Sequence, residues 1–66
     1  MQITLNGRPE ALDPATTLGQ LLTRLKLEPI RVAVEINENL VPRRTFADTV
    51  LCDGDRVEVV TLVGGG

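Results

Sequence analysis

One segment of this chain has the periodicity of a helix, and it is too short to be stable in water without a surface to pack on. Leucines recur at i, i+3, i+4 and i+7 within "TTLGQLLTRLKLEP", which places them on one face of a helix. They are Leu18, Leu21, Leu22 and Leu25. Thr17 and Gln20 match a capping box, and Pro29 marks the region where the helix can no longer continue. Because a helix of about nine residues is marginal alone, we expect its leucine face to pack on a sheet.

The first segment, "QITLNGRPEAL", has the pattern of a β-hairpin. Asn6-Gly7 lies between two short extended runs, and this pair favours a type I′ turn because both residues tolerate a positive φ. Pro9 has no backbone N–H to donate to a neighbouring strand. The second strand of the hairpin is therefore expected at an edge of the sheet.

The second half of the chain supplies the remaining strands. Residues 32–36 alternate in polarity, and a turn at 37–39 leads to a very short strand at 40–41. "TFADTVLC" is compatible with a helical turn that carries Phe46 into the core. The stretch "DGDRVEVVTLV" is the most β-rich, and from Val60 onward it has apolar groups on both faces. Such a strand lies at the centre of a sheet or ends in an apolar patch that another protein covers.

The resulting order is strand, strand, helix, strand, short strand, strand. It predicts an α+β fold with a mixed sheet of four to five strands and one main helix packed on one face. We expect one domain over residues 1–63 and a flexible glycine tail over residues 64–66. A pocket of about 300 Å³ or more is hard to build in so small a domain, so chemistry is expected in a partner's pocket.

Composition argues against several classes of function. A net charge of -2 and a single aromatic residue disfavour nucleic-acid binding. No apolar run approaches the length of about 20 residues that spans a bilayer, and the N-terminus lacks a signal-peptide pattern, so we expect no membrane association and a cytoplasmic location. With one cysteine and no histidine, we expect no intrinsic metal site and no Cys-His nucleophile. Cys52 is interpreted as a small, half-buried hydrophobe, and Arg43-Arg44 as a solvated loop.

The chain closes with "LVGGG", and glycine at three successive positions needs a physical reason. A frayed terminus is one explanation. The other is a narrow segment: residues 63–66, fully extended, reach about 13 Å and could pass through a channel barely wider than a backbone. The α-carboxylate is ionised at neutral pH and is a poor electrophile until it is activated. ATP provides a leaving group by forming an acyl-adenylate, so this pattern predicts a substrate of an adenylating enzyme.

The whole chain resembles the ubiquitin-like sulfur carrier proteins, most closely the ThiS type of thiamin (thiazole) biosynthesis. The resemblance rests on "TTLGQLL", "VAVEINENLVPR" and "DGDRVEVVTLVGGG", in this order and spacing, and covers essentially all 66 residues. It implies a ubiquitin-like β-grasp fold and a protein that is not itself an enzyme. It also implies that an E1-like enzyme adenylates Gly66 with ATP, that sulfur derived from cysteine converts it to a thiocarboxylate, and that thiazole synthase takes this sulfur.

The resemblance further assigns roles to the end of the chain. The tail that enters the partner active sites would be Gly64, Gly65 and Gly66. The adjoining docking surface would be Val60, Leu62 and Val63. No cofactor would be bound by this chain, and a cysteine desulfurase or similar donor would supply the sulfur. Two alternatives remain open: a carrier for molybdopterin or another thiolation pathway, and a non-catalytic interaction module with an inert tail.

Overall fold

The computed structural model describes residues 1–62, which form one mixed sheet, one α-helix and two short 3₁₀ segments. The α-helix and strands are β1 (Gln2–Leu5), β2 (Arg8–Ala11), α1 (Leu18–Arg24), β3 (Val32–Ile36), β4 (Asn39–Leu40) and β5 (Arg56–Thr61). The 3₁₀ segments are Pro29–Arg31 and Arg43–Asp48. The strand order is β2-β1-β5-β3-β4, with β1 parallel to β5 and the other neighbours antiparallel. The predicted fold class is confirmed, and the first and last strands, β1 and β5, are neighbours at the centre of the sheet.

Two tight hairpin turns connect the edge strands, β2 and β4, to their neighbours β1 and β3. Asn6 and Gly7 have φ values of 49° and 82° between the paired residues Leu5 and Arg8, so the predicted two-residue turn is confirmed. Pro9 lies in β2, at the edge of the sheet, as expected. The turn between β3 and β4 is shorter than predicted. Its two residues, 37 and 38, have positive φ, and Asn39 is already paired in β4.

The helix begins as predicted but ends earlier. The Thr17 side chain accepts from the Gln20 amide at 3.1 Å, and the Gln20 side chain accepts from the Thr17 amide at 2.9 Å, which confirms the capping box. The helix has seven residues, because Lys26 adopts a φ of 60° and turns the chain. The amides of Lys26 and Leu27 then donate to Thr23 and Leu22, the bonding pattern of a Schellman motif. The sequence placed no glycine at this position to signal it.

This early end corrects one core residue. Leu25, predicted on the packed face, follows the helix and is 36% exposed. Leu27 packs against the core instead. Phe46 is buried by the second 3₁₀ segment, as predicted. The buried core is Ile3, Leu12, Leu18, Leu21, Leu22, Val32, Val34, Phe46, Leu51, Val57 and Val59.

The core lies between the helix and one face of the sheet, so the other face carries the exposed positions of the strands. None of the helices within residues 1–62 has the length and hydrophobicity of a transmembrane span.

Cys52 is exposed, which corrects its interpretation as half-buried. It lies in the turn before β5, where its amide donates to Asp55 at 2.8 Å.

Candidate functional site

The C-terminal half of β5 has one face in the core and one in solvent. Val57 and Val59 are buried, while Glu58 and Val60 are exposed, as the period of a strand requires. Val60 is 60% exposed and lies directly opposite Ala33 of β3. A β-branched apolar residue at the centre of the sheet is therefore open to solvent, as expected of a docking position.

Leu62 continues this surface beyond the end of β5. Its amide donates to the Arg31 carbonyl at 2.7 Å, which extends the pairing with the β3 side past Thr61. Leu62 is 47% exposed and, two positions after Val60, lies on the same face. We call Val60 and Leu62 the apolar end of β5. The remaining predicted site residues lie outside the described part of the chain: Val63, Gly64, Gly65 and Gly66.

Sequence reasoning missed two residues that widen the apolar surface. Ala33 lies opposite Val60, and Leu40 of β4 lies opposite Glu35, on the same face of the sheet. Leu40 is 69% exposed and borders, with Ala33 and Pro42, a shallow groove of about 210 Å³. The alternation of each strand could have indicated that these side chains point outward. Their position beside the apolar end of β5 depends on the strand register.

Two carboxylates face each other next to this apolar surface. Glu35 of β3 and Glu58 of β5 are directly paired and both exposed. The ion pairs found within residues 1–62 join Arg31 to Glu28 and Arg56 to Glu38, so neither of the paired glutamates is neutralised there. Like charges opposite each other across two strands are unfavourable. A partner that brings a cation to this position would relieve the repulsion.

The described residues supply no intrinsic metal centre. Residues 1–62 contain no group of three or more histidine, cysteine, aspartate or glutamate side chains placed to hold an ion. The segment 53–55 is a turn with Gly54 at a φ of 86°, as interpreted from the sequence. Cys52 is assigned no role. Around the apolar end of β5, the described residues therefore form an exposed surface suited to docking.

Comparison with known proteins gives consistent results for sequence and structure. The sequence model of the ThiS family matches residues 3–66. The chain is 46% identical over 66 residues to a protein named thiazole synthase from Magnetococcus marinus. This match covers all of the chain and 20% of the length of that relative. It is 30% identical to sulfur carrier protein ThiS of Escherichia coli (strain K12), over the full length of both.

A solved structure supports the same relationship. The crystal structure of a thiamine biosynthesis protein (ThiS) from Geobacter metallireducens superposes with a TM-score of 0.84 at 36% identity, covering 100% of each chain. The predicted β-grasp fold is therefore confirmed. Because the sequence match covers nearly the whole chain and the solved relative has the same fold throughout, this chain belongs to the ThiS family.

Proposed function

We propose that the chain is a sulfur carrier of thiamin biosynthesis, whose Gly66 carboxylate is activated and converted to a thiocarboxylate. The observation that carries the proposal is the match to the ThiS family, which runs through residues 3–66 and includes the glycine tail. The relative named sulfur carrier protein ThiS from Escherichia coli matches over the full length of both chains. The chain is then a protein substrate, and its partners' active sites supply the catalytic groups.

The proposed chemistry has to overcome the poor electrophilicity of an ionised carboxylate. A carboxylate oxygen of Gly66 attacks the α-phosphorus of ATP in the site of an E1-like enzyme, and pyrophosphate leaves. The terminal sulfur of a persulfide then attacks the acyl carbon, and AMP leaves. A second thiol attacks the inner sulfur of the resulting S–S bond, which leaves a disulfide between the two thiols and releases the thiocarboxylate. ATP thus belongs to the partner's site, and a cysteine desulfurase or similar donor supplies the persulfide.

The apolar end of β5 supports a docking role in this reaction. Val60 and Leu62 are exposed immediately before residues 63–66, so a partner that covers them holds the chain where the tail begins. Val63, predicted from the resemblance to dock with them, is also proposed to contact the partner. The paired carboxylates of Glu35 and Glu58 favour a basic partner surface. We expect association to slow as the salt concentration rises.

Thiazole synthase is the proposed acceptor of the sulfur. A protein that bears this name in Magnetococcus marinus contains a segment similar to the whole of this chain. That segment is 20% of its length, so in that organism a carrier-like segment and further sequence belong to one polypeptide. Joining two partners in one chain raises their effective concentration for each other, as expected of components that act in succession.

The family match favours the thiazole branch over carriers for molybdopterin or another thiolation pathway. One observation favours the other alternative, an interaction module: a docking surface alone would explain the exposure of Val60 and Leu62. The cytoplasmic location stays a prediction.

Intact mass tests the proposal. The chain is incubated with ATP, cysteine, and the E1-like enzyme and desulfurase of its own organism, beside a variant that lacks Gly66. We expect a mass gain equal to the replacement of one oxygen by sulfur, absent from the truncated variant. Loading of the truncated variant would contradict the proposal. No loading of the full chain would favour the interaction module, and loading without transfer to thiazole synthase would favour another thiolation pathway.

The docking surface has its own matched pair of variants. Val60→Ser is expected to slow loading, because it removes apolar contact area from the partner interface. Val50→Ser is the control, since Val50 is similarly exposed, at 53%, and is bridged to Thr17 just before α1. Equal loading rates for the two variants would rule out the assigned docking surface.

A further inference from the structure

Arg43 and Arg44, which the sequence interpretation treats alike as part of a solvated loop, make different contacts in the structure. The Arg43 guanidinium donates from Nε to the Pro29 carbonyl at 2.8 Å and from Nη2 to the Val32 carbonyl at 3.2 Å. Arg44 is exposed and makes no side-chain hydrogen bond or ion pair within residues 1–62. Arg43 thus contacts the backbone at two points. Arg44 does not, so a substitution of Arg44 is a matched control for the same substitution of Arg43.

The two carbonyls that Arg43 contacts belong to residues on either side of Arg31 in the sequence. The Arg31 carbonyl is itself the acceptor of the last hydrogen bond between the end of β5 and the β3 side. Pro29 begins the first 3₁₀ segment, and Val32 follows it as the first residue of β3. Between them, the Arg31 carbonyl accepts the Leu62 amide at 2.7 Å. The Arg43 guanidinium therefore contacts the 3₁₀ segment, and the 3₁₀ segment in turn binds Leu62, the last described residue before the tail.

The 3₁₀ segment has few other means of holding this geometry. Its side chains are all exposed, and Ile30 is 71% exposed, so apolar packing contributes little. Its backbone bonds are the Arg31 amide to the Glu28 carbonyl at 2.9 Å and the Val32 amide to the Pro29 carbonyl. The Arg31 side chain also pairs with Glu28 at 2.9 Å, but both side chains are exposed, and exposed ion pairs contribute little. Hydrogen bonds from a charged guanidinium are stronger than neutral ones, and its planar fork can hold two acceptors at once. Without the Arg43 guanidinium, the Arg31 carbonyl would lie on a turn that has little apolar packing to hold it in place.

We infer that Arg43 is a positioning residue that fixes the point at which the chain leaves the sheet at Leu62. It does so by clamping the turn that carries the acceptor of the Leu62 amide. The consequence for activity rests on the proposed function: a fixed exit presents residues 63–66 to the adenylating enzyme at a defined place beside the apolar end of β5. A loosened exit would reduce the fraction of encounters that are aligned.

Amide hydrogen exchange tests the structural half of this inference in the free protein. In Arg43→Ala, we expect the Leu62 amide to exchange about tenfold faster, a local loss of protection, while the Leu21 amide inside α1 keeps its rate. Arg44→Ala should match the wild type at both positions. Arg43→Lys keeps the charge but not the fork, so it should resemble Arg43→Ala. An unchanged Leu62 rate in Arg43→Ala, or full protection in Arg43→Lys, would overturn the two-point clamp.

Steady-state kinetics with the E1-like enzyme test the functional half. Arg43→Ala is expected to raise KM by about fivefold while kcat stays within about twofold, because alignment affects productive binding. A variant that is merely less stable would instead lower the active concentration and leave KM unchanged. Fast Leu62 exchange with an unchanged KM would overturn the positioning role. If the wild-type chain is not adenylated at all, the proposed function fails, and the exchange rates alone decide the role of Arg43.

Discussion

The side chain of Asn6 replaces a missing stretch of strand, and its removal should destabilise the protein measurably. β1 ends at Leu5, so beyond Val57 the edge of β5 that faces β1 has no further backbone partner in that strand. Asn6 Oδ1 accepts from the Val59 amide at 2.7 Å, and Asn6 Nδ2 donates to the Val59 carbonyl at 3.2 Å. The amide group thus completes the pairing of the central strand. Asn6 itself is in the left-handed region, with a φ of 49°.

Two substitutions separate these roles. Asn6→Gly keeps the left-handed turn but removes both hydrogen bonds, each of which contributes about 0.5–1.5 kcal/mol, so we expect a loss of about 2 kcal/mol. Asn6→Ala also loses both hydrogen bonds, and alanine tolerates the left-handed conformation less well than asparagine, which adds about 1 kcal/mol. The free energy of unfolding of a domain this size is roughly 3–10 kcal/mol in total. Either loss should therefore be conspicuous.

Urea unfolding followed by far-UV circular dichroism measures these losses, since the chain has no Trp or Tyr for fluorescence. At a slope of about 1 kcal/mol per molar urea, Asn6→Gly should lower the midpoint by about 2 M. The control is Asn39→Ala, which loses one exposed hydrogen bond to the Asn37 carbonyl and should stay within about 0.5 kcal/mol. An Asn6→Gly variant as stable as this control would refute the reasoning.

Three further substitutions test the packing and the charges. Leu22→Ala removes a fully buried helix side chain and should cost about 2–5 kcal/mol in urea unfolding; a loss below about 1 kcal/mol would contradict the assigned core. Lys26→Gly relieves a φ of 60° and should raise the free energy of unfolding by about 0.5–1 kcal/mol, whereas a loss would show that the Schellman geometry is wrong. Glu58→Gln removes the repulsion with Glu35 and should stabilise by about 0.2–1 kcal/mol. That gain should shrink at high salt, and a salt-independent gain would point to another cause.

Signals carried by a few neighbouring residues were sufficient for much of the fold. The turn at Asn6-Gly7 and the capping box at Thr17 are confirmed, because each depends on contacts within four positions of the chain. The end of the helix was placed too late, since Lys26 adopts a conformation that its own side chain disfavours. Packing of Leu27 against the core accompanies that turn, and Leu25 is left in solvent.

The candidate site divides in the same way. Alternation along β5 indicated that Val60 is turned away from Val57 and Val59, and the structure confirms its exposure. The sequence could not indicate that Glu35 and Glu58 are paired, since they are brought together by the register of two strands. That register depends on how the buried faces of β3 and β5 pack on the helix.

By itself, then, the sequence determined the order of the strands and the helix, most of their inward faces, and a glycine tail shortly after the last strand, because hydrophobic period and turn chemistry act locally. Only the tertiary structure decided which exposed residues share a surface and which arginine is structural. Arg43 and Arg44 are adjacent and chemically identical, yet only the first meets the carbonyls of Pro29 and Val32. The physical reason is that a side chain's partner across the fold is set by the packing of the whole core, which no local pattern encodes.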